Sequence, residues 1–430
     1  MRNAETMSSS ETLLIIGAGN AGAELAFAAR QQGWMGPIVL VGAEPALPYH
    51  RPPLSKGYLS NEASADSLTM RPASAYEKAG VTLRVATRVE RLDRSCKSLV
   101  LSDGTRLGYA KLALCVGSRP RELAFDGVCT SRAPRNLHYL RTQADVDVIR
   151  PRLQPGSRLL VIGGGYIGLE VAASARKLGV EVTVLEAQPR VLARVTGPEL
   201  SAFYEGVHRD AGVDLRTGVT VRSIECKDGD GAVRAVICGD GTRIEVDVVI
   251  VGAGVVPNIE LAAAAGLDVE GGIVVDEFAQ TSDPDIYAAG DCTAHPSALY
   301  GRRVRLESVP NALEQARIAA AALCGKPKAY NAVPWFWSDQ YDLKLQMVGL
   351  SEGYDQFVLR GSTQARAFVG FYLREGRLLA ADAVNRPADF MMAKRLVAAS
   401  ARADAARLAD ESLPLKELLA APATAPLISA

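Results

Sequence analysis

Two short segments contain glycines at the same spacing, which is the spacing of a phosphate-binding turn. These glycines are Gly17, Gly19, Gly22, Gly163, Gly165 and Gly168. In such a turn the first glycine permits a tight bend, the second lets the backbone approach a pyrophosphate, and the third lets a helix pack on a strand. The helix N-terminus that follows presents unpaired N–H groups to the phosphates. One such motif is a weak signal, but two, each between a strand and a helix, predict that the chain binds two dinucleotides.

An acidic residue follows the second motif at the position that contacts a ribose. Glu186 ends the next predicted strand, where a carboxylate accepts hydrogen bonds from the ribose hydroxyls. The same carboxylate repels a 2′-phosphate, which predicts a preference for NADH over NADPH. Arg190 and Arg194 lie near it in sequence and would weaken that repulsion.

The first motif has no acid at the equivalent position. Gly42 and Ala43 stand where the strand ends, and Glu44 follows them. Either Glu44 contacts the ribose of the first dinucleotide, which we expect to be FAD, or backbone groups do. Asp291, which follows an apolar strand and Gly290, is suited to the ribityl chain, and we expect the helix after it to point at the cofactor. A plain helix N-cap is the alternative for Asp291.

These motifs need strands and helices to position them. Apolar runs at residues 13–16 and 158–162 each predict a buried strand that enters a glycine turn, followed by a helix and another strand. Apolar runs near Gly254 and before Asp291 indicate later strands that return to the first domain. From residue 333 onward the pattern becomes that of alternating strands, for example at 368–373, with an alanine-rich helical tail.

We therefore predict an α/β fold with two Rossmann-like dinucleotide-binding domains, the second inserted in the first, and a C-terminal α+β interface domain. The FAD-binding domain is expected at residues 1–118 and 252–330, the NAD-binding domain at 119–251, and the interface domain at 331–430. A chain of 430 residues is longer than one hydrophobic core usually supports, which agrees with several domains.

Composition excludes some functions. Lys plus Arg equals Asp plus Glu at 48 each, so net charge gives no sign of nucleic-acid binding, and a charge-guided partner needs a local patch. The polar residues 1–11 lack the apolar core of a signal peptide, and the run at 13–29 is too short and polar to span a membrane. We expect a cytoplasmic protein without membrane contact.

The seven cysteines show neither a redox nor a metal-binding pattern. They are Cys96, Cys115, Cys129, Cys226, Cys238, Cys292 and Cys324. No two are spaced as C-x-x-C, and no His/Cys cluster has metal-ligand spacing, so no metal site is expected. In a cytosolic chain most should be reduced, buried and inert.

Five stretches carry a more specific pattern. They are residues 51–56 (RPPLSK), 163–170 (GGGYIGLE), 307–312 (ESVPNA), 334–341 (PWFWSDQY) and 410–417 (DESLPLKE). With them the chain resembles, over nearly its whole length, the FAD-dependent NADH:ferredoxin reductases of bacterial oxygenase systems, within the glutathione-reductase superfamily. The resemblance implies transfer of electrons from NADH through FAD, one at a time, to a 2Fe-2S ferredoxin that supplies a haem monooxygenase or related oxygenase.

The resemblance also implies roles for single residues. Lys56 is expected beside the flavin N5 edge and paired with Glu170, because an ammonium there stabilises the reduced ring and the glutamate holds it in place. Arg51 and Arg141 are expected to face the FAD pyrophosphate. The remaining cofactor contacts implied by the resemblance and the motifs are Ala21, Ala43, Val89, Tyr166, Ile167, Gly254, Asp291, Val309 and Trp337.

Two positions depart from the family pattern. Relatives often have Asp where Ala43 stands, which leaves the ribose contact of FAD open. Residues 115–117 read Cys-Val-Gly instead of the usual Ala-Thr-Gly, so a threonine hydroxyl near the cofactor is missing. Neither departure is at a residue that is expected to take part in the redox step.

A docking surface for an acidic ferredoxin is predicted to be basic. Its candidates are Arg303, Arg305, Arg317 and Lys344. Among rival functions, a disulfide reductase needs a cysteine pair after the first turn or a redox cysteine near Lys56, and the first cysteine is Cys96. An NADH oxidase or peroxidase also generally uses a cysteine. An FAD-bearing scaffold of the apoptosis-inducing-factor kind would show slow reduction and no ferredoxin turnover.

Overall fold

The computed structural model describes residues 11–126, 134–226 and 231–420. The polar residues 1–10, Cys129 and the end of the predicted helical tail at 421–430 lie outside them. The described residues form two compact units. Unit 1 comprises those within 1–50, 65–119 and 255–334, and unit 2 comprises those within 51–64, 120–254 and 335–430.

The strands of the described residues follow one another along the chain. They are β1 (Leu13–Ile16), β2 (Ile38–Val41), β3 (Val81–Arg84), β4 (Val89–Asp93), β5 (Ser98–Leu101), β6 (Arg106–Gly108), β7 (Lys111–Leu114), β8 (Ser118–Pro120), β9 (Leu137–Tyr139), β10 (Arg158–Ile162), β11 (Glu181–Glu186), β12 (Asp214–Thr217), β13 (Val221–Cys226), β14 (Val233–Cys238), β15 (Arg243–Glu245), β16 (Val248–Val251), β17 (Val255–Pro257), β18 (Ile273–Val274), β19 (Ile286–Ala288), β20 (Thr293–Ser297), β21 (Arg302–Val304), β22 (Trp335–Gln340), β23 (Leu343–Gly349), β24 (Gln356–Ser362), β25 (Ala367–Arg374) and β26 (Arg377–Val384).

The α-helices of the same residues are α1 (Asn20–Gln32), α2 (Ala65–Leu68), α3 (Ala73–Lys78), α4 (Gln143–Ile149), α5 (Tyr166–Lys177), α6 (Pro198–Asp210), α7 (Glu260–Ala264), α8 (Val309–Leu323), α9 (Pro387–Ala398), α10 (Ala405–Ala409) and α11 (Lys416–Ala420). Short 3₁₀ helices cover Pro52–Ser55 and Arg150–Arg152. In the part of the chain that the structure describes, no helix combines the length and the apolar character needed to cross a bilayer.

Unit 1 is built on a five-stranded parallel sheet in the order β19–β7–β1–β2–β3. The central strand β1 is buried on both faces: Leu13 and Ile15 belong to one apolar cluster, and Leu14 and Ile16 to another. A parallel strand covered on both faces reads as a continuous apolar run, which is why residues 13–16 lack alternation. The carboxyl end of β1 leads into the first glycine turn.

Unit 2 contains a second parallel sheet, in the order β12–β11–β10–β16–β9, and a five-stranded antiparallel sheet, β22–β23–β26–β25–β24. The carboxyl end of β10 leads into the second glycine turn and α5. Helix α9 packs on β23 and β26 of the antiparallel sheet. Two Rossmann-like sheets and a C-terminal α+β region confirm the predicted fold class.

The units divide the chain differently from the predicted domains, whose boundaries stay a prediction. Residues 51–64 lie in unit 2, because Ser55 and Lys56 bond to Glu170 and the Tyr58 hydroxyl donates to Asp147 at 2.6 Å. The predicted NAD-binding and C-terminal regions also share unit 2. The helix that follows Asp291 in the chain is α8, which comes after β20 and β21, and its direction towards the cofactor stays a prediction.

Candidate active site

The first glycine turn has a backbone that only glycine fits. Gly17 has φ of +101°, and a β-carbon there would lie 2.1 Å from the carbonyl oxygen of Cys115. A β-carbon on Gly22 would lie 1.9 Å from the carbonyl oxygen of Gly17. Beside Gly19 the same test meets no heavy atom within 4 Å. Close packing at the first and third glycines and open space at the second are what a pyrophosphate cradle requires.

The second turn repeats this geometry in unit 2. Gly163 has φ of +113°, and a β-carbon there would lie 2.4 Å from the carbonyl oxygen of Gly252. A β-carbon on Gly168 would lie 2.0 Å from the carbonyl oxygen of Gly163, and around Gly165 no heavy atom comes within 4 Å. Neither α1 nor α5 has a side-chain cap at its N-terminal glycine, so the first N–H groups are left for an anion. Both turns therefore fit a dinucleotide.

The side chains after the two turns differ. Glu186 Oε2 accepts from the Gly164 N–H at 2.6 Å, and its Oε1 accepts from the Gln188 N–H at 2.7 Å. In unit 1, Ala43 is exposed and Glu44 accepts from the Tyr49 hydroxyl. A partly buried carboxylate at the mouth of the second turn suits a ribose, and the first turn has none in that place.

The other predicted cofactor residues are distributed over both units. In unit 1, Ala21 is buried on α1, Val89 begins β4, Val309 begins α8, and Asp291 Oδ2 accepts from the Ser118 hydroxyl at 2.8 Å. In unit 2, Arg51 donates to the carbonyl oxygen of Arg141 at 2.8 Å, Gly254 lies beside Arg194, and the Trp337 ring is 5.7 Å from that of Trp335. Tyr166 and the exposed Ile167 begin α5.

Lys56 and Glu170 meet in unit 2. The Lys56 Nζ lies 2.8 Å from Glu170 Oε2, with 19% of the lysine side chain exposed and 4% of the glutamate. Glu170 Oε2 also accepts from the Ser55 hydroxyl, and its Oε1 accepts from the Ser338 hydroxyl at 2.6 Å. A buried carboxylate is stable when a cation and hydrogen-bond donors surround it, as here.

Sequence reasoning missed the two serines. Ser55 lies in the stretch 51–56 and Ser338 in 334–341, both of which carried the family pattern. The signal was thus present, but a serine has no local feature that predicts a partner 115 or 168 residues away. Glu170 and these two hydroxyls are brought together by packing of α5 against β22 and the 3₁₀ helix at Pro52–Ser55.

The described thiols are not poised for redox chemistry. Cys96, Cys115, Cys238, Cys292 and Cys324 are free thiols. Burial raises the pKa of the Cys292 thiol to about 12 and that of Cys115 well above its ordinary value. Since the thiolate is the reactive form, both are inert at neutral pH. Among the described residues no group of His, Cys, Asp and Glu is arranged to hold a metal ion.

Two of the four predicted docking residues pair with acidic side chains. Arg317 on α8 pairs with Glu24 at 2.7 Å, and Arg305 pairs with Glu307. Arg303 donates to the carbonyl oxygen of Val275 at 3.2 Å. Lys344 on β23 of unit 2 is exposed.

Comparison with known proteins identifies the relatives of this chain. A family model described as pyridine nucleotide-disulphide oxidoreductase matches residues 11–316, and one described as reductase C-terminal matches residues 335–419. The chain is 50% identical to putidaredoxin reductase of Pseudomonas putida over 96% of this chain and 98% of that protein. It is 46% identical to the ferredoxin reductase subunit of 5,5'-dehydrodivanillate O-demethylase of a Sphingobium strain, over 95% and 98%. The solved structure of the covalent putidaredoxin reductase–putidaredoxin complex matches with a TM-score of 0.92 at 50% identity, over 96% of this chain and 99% of that one.

Proposed function

This chain belongs to the pyridine nucleotide-disulphide oxidoreductase family, as one of its FAD- and NAD(H)-dependent ferredoxin reductases, and we propose that it passes electrons from NADH through FAD to a 2Fe-2S ferredoxin that supplies an oxygenase. The observation that carries the proposal is the pair of matching glycine turns, one in each unit, together with described thiols that are buried or far in sequence from Lys56. Two nucleotide cradles, with no redox-active cysteine pair evident among the described residues, suit hydride transfer to a flavin followed by outward electron transfer.

We assign NADH to the second turn and FAD to the first. The Glu186 carboxylate stands where a 2′-phosphate would have to lie, and it favours NADH by repelling that phosphate. The proposed FAD contacts are Gly17, Gly19, Ala21, Gly22, Ala43, Glu44, Arg51, Val89, Arg141, Asp291 and Val309. With Ala43 lacking a polar side chain, Glu44 or backbone groups serve the FAD ribose.

The Lys56–Glu170 pair is proposed as the polar group that faces the flavin. When bound, FAD accepts a hydride and releases electrons singly. The Lys56 ammonium supplies a fixed positive charge, and Glu170 orients it through the 2.8 Å contact. The Ser55 and Ser338 hydroxyls hold the carboxylate in that orientation. Positioning and electrostatics, rather than proton transfer by the protein, carry this function.

We also propose that the protein works in the cytoplasm. The support is chemical: the free thiols of Cys96, Cys115, Cys238, Cys292 and Cys324 suit a compartment that keeps thiols reduced.

The function is tested with the full chain loaded with FAD. NADH-dependent reduction of purified 2Fe-2S ferredoxins is followed optically before and after alkylation of the cysteines, with ferricyanide as a small acceptor. We expect ferredoxin reduction in both cases, because no thiol lies in the path. Loss of activity on alkylation with FAD retained would favour a disulfide reductase. NADH oxidation without any ferredoxin turnover would favour the hypothesis of an FAD-bearing scaffold.

A further inference from the structure

A chain of hydrogen bonds leads away from Glu170 to His208 on α6 and on to Tyr341. Ser338 Oγ is 2.6 Å from Glu170 Oε1 and 3.2 Å from Gln340 Nε2. Gln340 Oε1 is 2.9 Å from His208 Nε2, and His208 Nδ1 is 3.1 Å from the hydroxyl of Tyr341. We call Tyr341, His208, Gln340 and Ser338 the relay. All its members belong to unit 2.

The inner members of the relay are shielded from water. His208 and Ser338 are 0% exposed, Gln340 is 1% exposed, and Glu170 is 3% exposed. Each of these polar groups depends on its neighbour, because a buried donor or acceptor without a partner is costly. The hydrogen positions along the relay are therefore coupled to one another.

The charge of Glu170 decides the direction of every bond. An ionised carboxylate only accepts, so the Ser338 hydroxyl must donate to it and must accept from the Gln340 amide. The Gln340 carbonyl oxygen then faces His208 and accepts from Nε2–H. A neutral imidazole has one N–H, so Nδ1 accepts from the Tyr341 hydroxyl. All four donors point towards Glu170.

The opposite direction of all the hydrogen bonds is also self-consistent, but it requires a protonated Glu170 side chain. A protonated carboxyl group would donate to Ser338, the Gln340 amide would turn over, and His208 would carry its proton on Nδ1. The tautomer of His208 thus reports the ionisation of a glutamate three hydrogen bonds away. The Lys56 ammonium at 2.8 Å from Glu170 favours the first direction.

Two further features hold His208 in its place in the relay. Burial lowers its pKa, which keeps the imidazole neutral. Tyr341 adopts a left-handed backbone, with φ of +56°, in the turn between β22 and β23, and its ring packs edge-on against the imidazole at 5.1 Å. A non-glycine residue in that region persists where surrounding contacts hold it.

We propose that His208 is a positioning residue, which acts through Gln340 and Ser338 to orient the Glu170 carboxylate and so to hold the Lys56 ammonium in place. This rests on the proposed role of Lys56 in flavin reduction. The relay aligns four bond dipoles on one carboxylate, and aligned hydrogen bonds strengthen one another in a buried environment. Among the described residues, the polar partners of Lys56 are Glu170 and the carbonyl oxygen of Pro52, and neither belongs to the relay.

The direct test is the protonation of the imidazole. The chain has four histidines, so ring ¹⁵N spectra of the labelled, FAD-loaded full chain are simple, and the His208 signals are assigned by their loss in His208→Gln. We expect the Nε2–H tautomer at neutral pH. An Nδ1–H tautomer or an imidazolium overturns the proposal. This readout does not depend on turnover, so it stands apart from a failure of the ferredoxin assay.

Variants test the consequence for the reaction. His208→Phe removes the Nε2–H donor, and we expect the rate of FAD reduction by NADH to fall about five-fold, the factor that matches one lost net hydrogen bond, with the KM for NADH unchanged. His208→Gln, whose amide can still donate to Gln340 Oε1, should restore most of the rate. His138→Phe, on β9 of the same unit and outside the relay, is the control and should keep the full rate. Equal rates in His208→Phe, His208→Gln and the unmodified chain would overturn the proposal.

Discussion

The two glycine turns have the same backbone geometry but differ in the surroundings of one glutamate on the helix that follows. Glu24 is the fifth residue of α1, and Glu170 is the fifth residue of α5. Glu24 pairs with Arg71 at 3.2 Å and Arg317 at 2.7 Å, both arginines being partly exposed. Glu170 is buried and pairs with Lys56. The same motif thus holds a surface ion pair in unit 1 and a buried pair in unit 2, so the turn specifies nucleotide binding and the environment of this glutamate specifies what else the helix does.

The largest effect is expected from the third glycine of each turn. A methyl group at Gly22 or Gly168 collides with a carbonyl oxygen at 1.9 or 2.0 Å. We expect Gly22→Ala to lose FAD on purification, and Gly168→Ala to keep FAD but raise the KM for NADH about 100-fold, which is about 2.7 kcal/mol. Flavin absorbance and NADH titration measure both. Gly206→Ala on α6, where no heavy atom is within 4 Å, is the matched control and should be neutral or slightly stabilising. Loss of FAD in Gly168→Ala would reverse our assignment of the turns.

The equivalent glutamates provide the next largest contrast. Glu170→Gln leaves the half-buried Lys56 without its carboxylate, and we expect a loss of about 1–3 kcal/mol of stability together with slower FAD reduction. Glu24→Gln removes the ion pair with Arg317, whose side chain is exposed, and we expect it to lower the free energy of unfolding by less than about 1 kcal/mol. Thermal unfolding and the rate of flavin reduction by NADH compare the two. Similar losses in both variants would mean that burial does not distinguish these helices.

The contrast between the glutamates shows what sequence alone can predict. The strands, turns and first helices were predictable because contacts such as Gly17 with Gly22 are local, and apolar runs identify buried parallel strands. The partners of Glu170 were not, because Ser338 lies 168 residues away. The pairing of Glu24 with Arg317 escaped notice for the same reason, with 293 residues between them. Long-range polar contacts depend on how elements pack, which no local pattern encodes.

Glu186, at the end of β11, and Glu44, after β2, are expected to differ in their effect on coenzyme selectivity. Glu186→Ala removes the carboxylate that bonds Gly164 and Gln188, and with it the repulsion of a 2′-phosphate. We expect kcat/KM for NADPH relative to NADH to rise about ten-fold, or about 1.4 kcal/mol. Ferricyanide reduction with each coenzyme gives the ratio. Glu44→Ala, after the first turn, should leave the ratio unchanged. Equal or better use of NADPH by the unmodified chain would contradict the role of Glu186.

The segment after Glu186 is also held by hydrogen bonds from Thr196 and Gly197 to buried side chains, whereas Glu44 accepts a hydrogen bond from its neighbour Tyr49. Asp382 on β26 accepts from Thr196 at 2.6 Å and from Tyr372 at 2.8 Å, and the Gly197 N–H donates to the Tyr372 hydroxyl at 3.0 Å. Burial raises the pKa of Asp382 to about 6. Two donors thus hold a buried carboxyl group that titrates close to neutral pH.

This pKa sets a pH dependence of stability. Because the pKa of Asp382 is higher in the folded than in the unfolded chain, the folded state binds the proton more tightly, and the stabilisation from that proton is lost as pH rises through about 6. The shift from 3.8 corresponds to about 3 kcal/mol. As the pH is lowered from 7.5 to 4.5, the Tm of the unmodified chain should therefore rise by a few degrees relative to that of Asp382→Asn. Asp342→Asn, at an exposed site, should show no such trend. A constant difference across this range would contradict the raised pKa.

The smallest effect is expected at the outer face of α1 and α8. The sequence indicates Arg317 as a docking candidate, but Glu24 already neutralises much of its charge. We therefore expect Arg317→Glu to raise the KM for ferredoxin about two-fold and to leave FAD reduction unchanged. The effect should vanish in concentrated salt, as the screening length falls from about 8 Å at physiological ionic strength to about 3 Å at 1 M. Arg209→Glu is a close match, because Arg209 is 50% exposed and pairs with Glu205, which is 14% exposed like Glu24. If both arginine variants change the KM alike, net charge rather than a docking face explains the result; if neither does, the ferredoxin binds elsewhere.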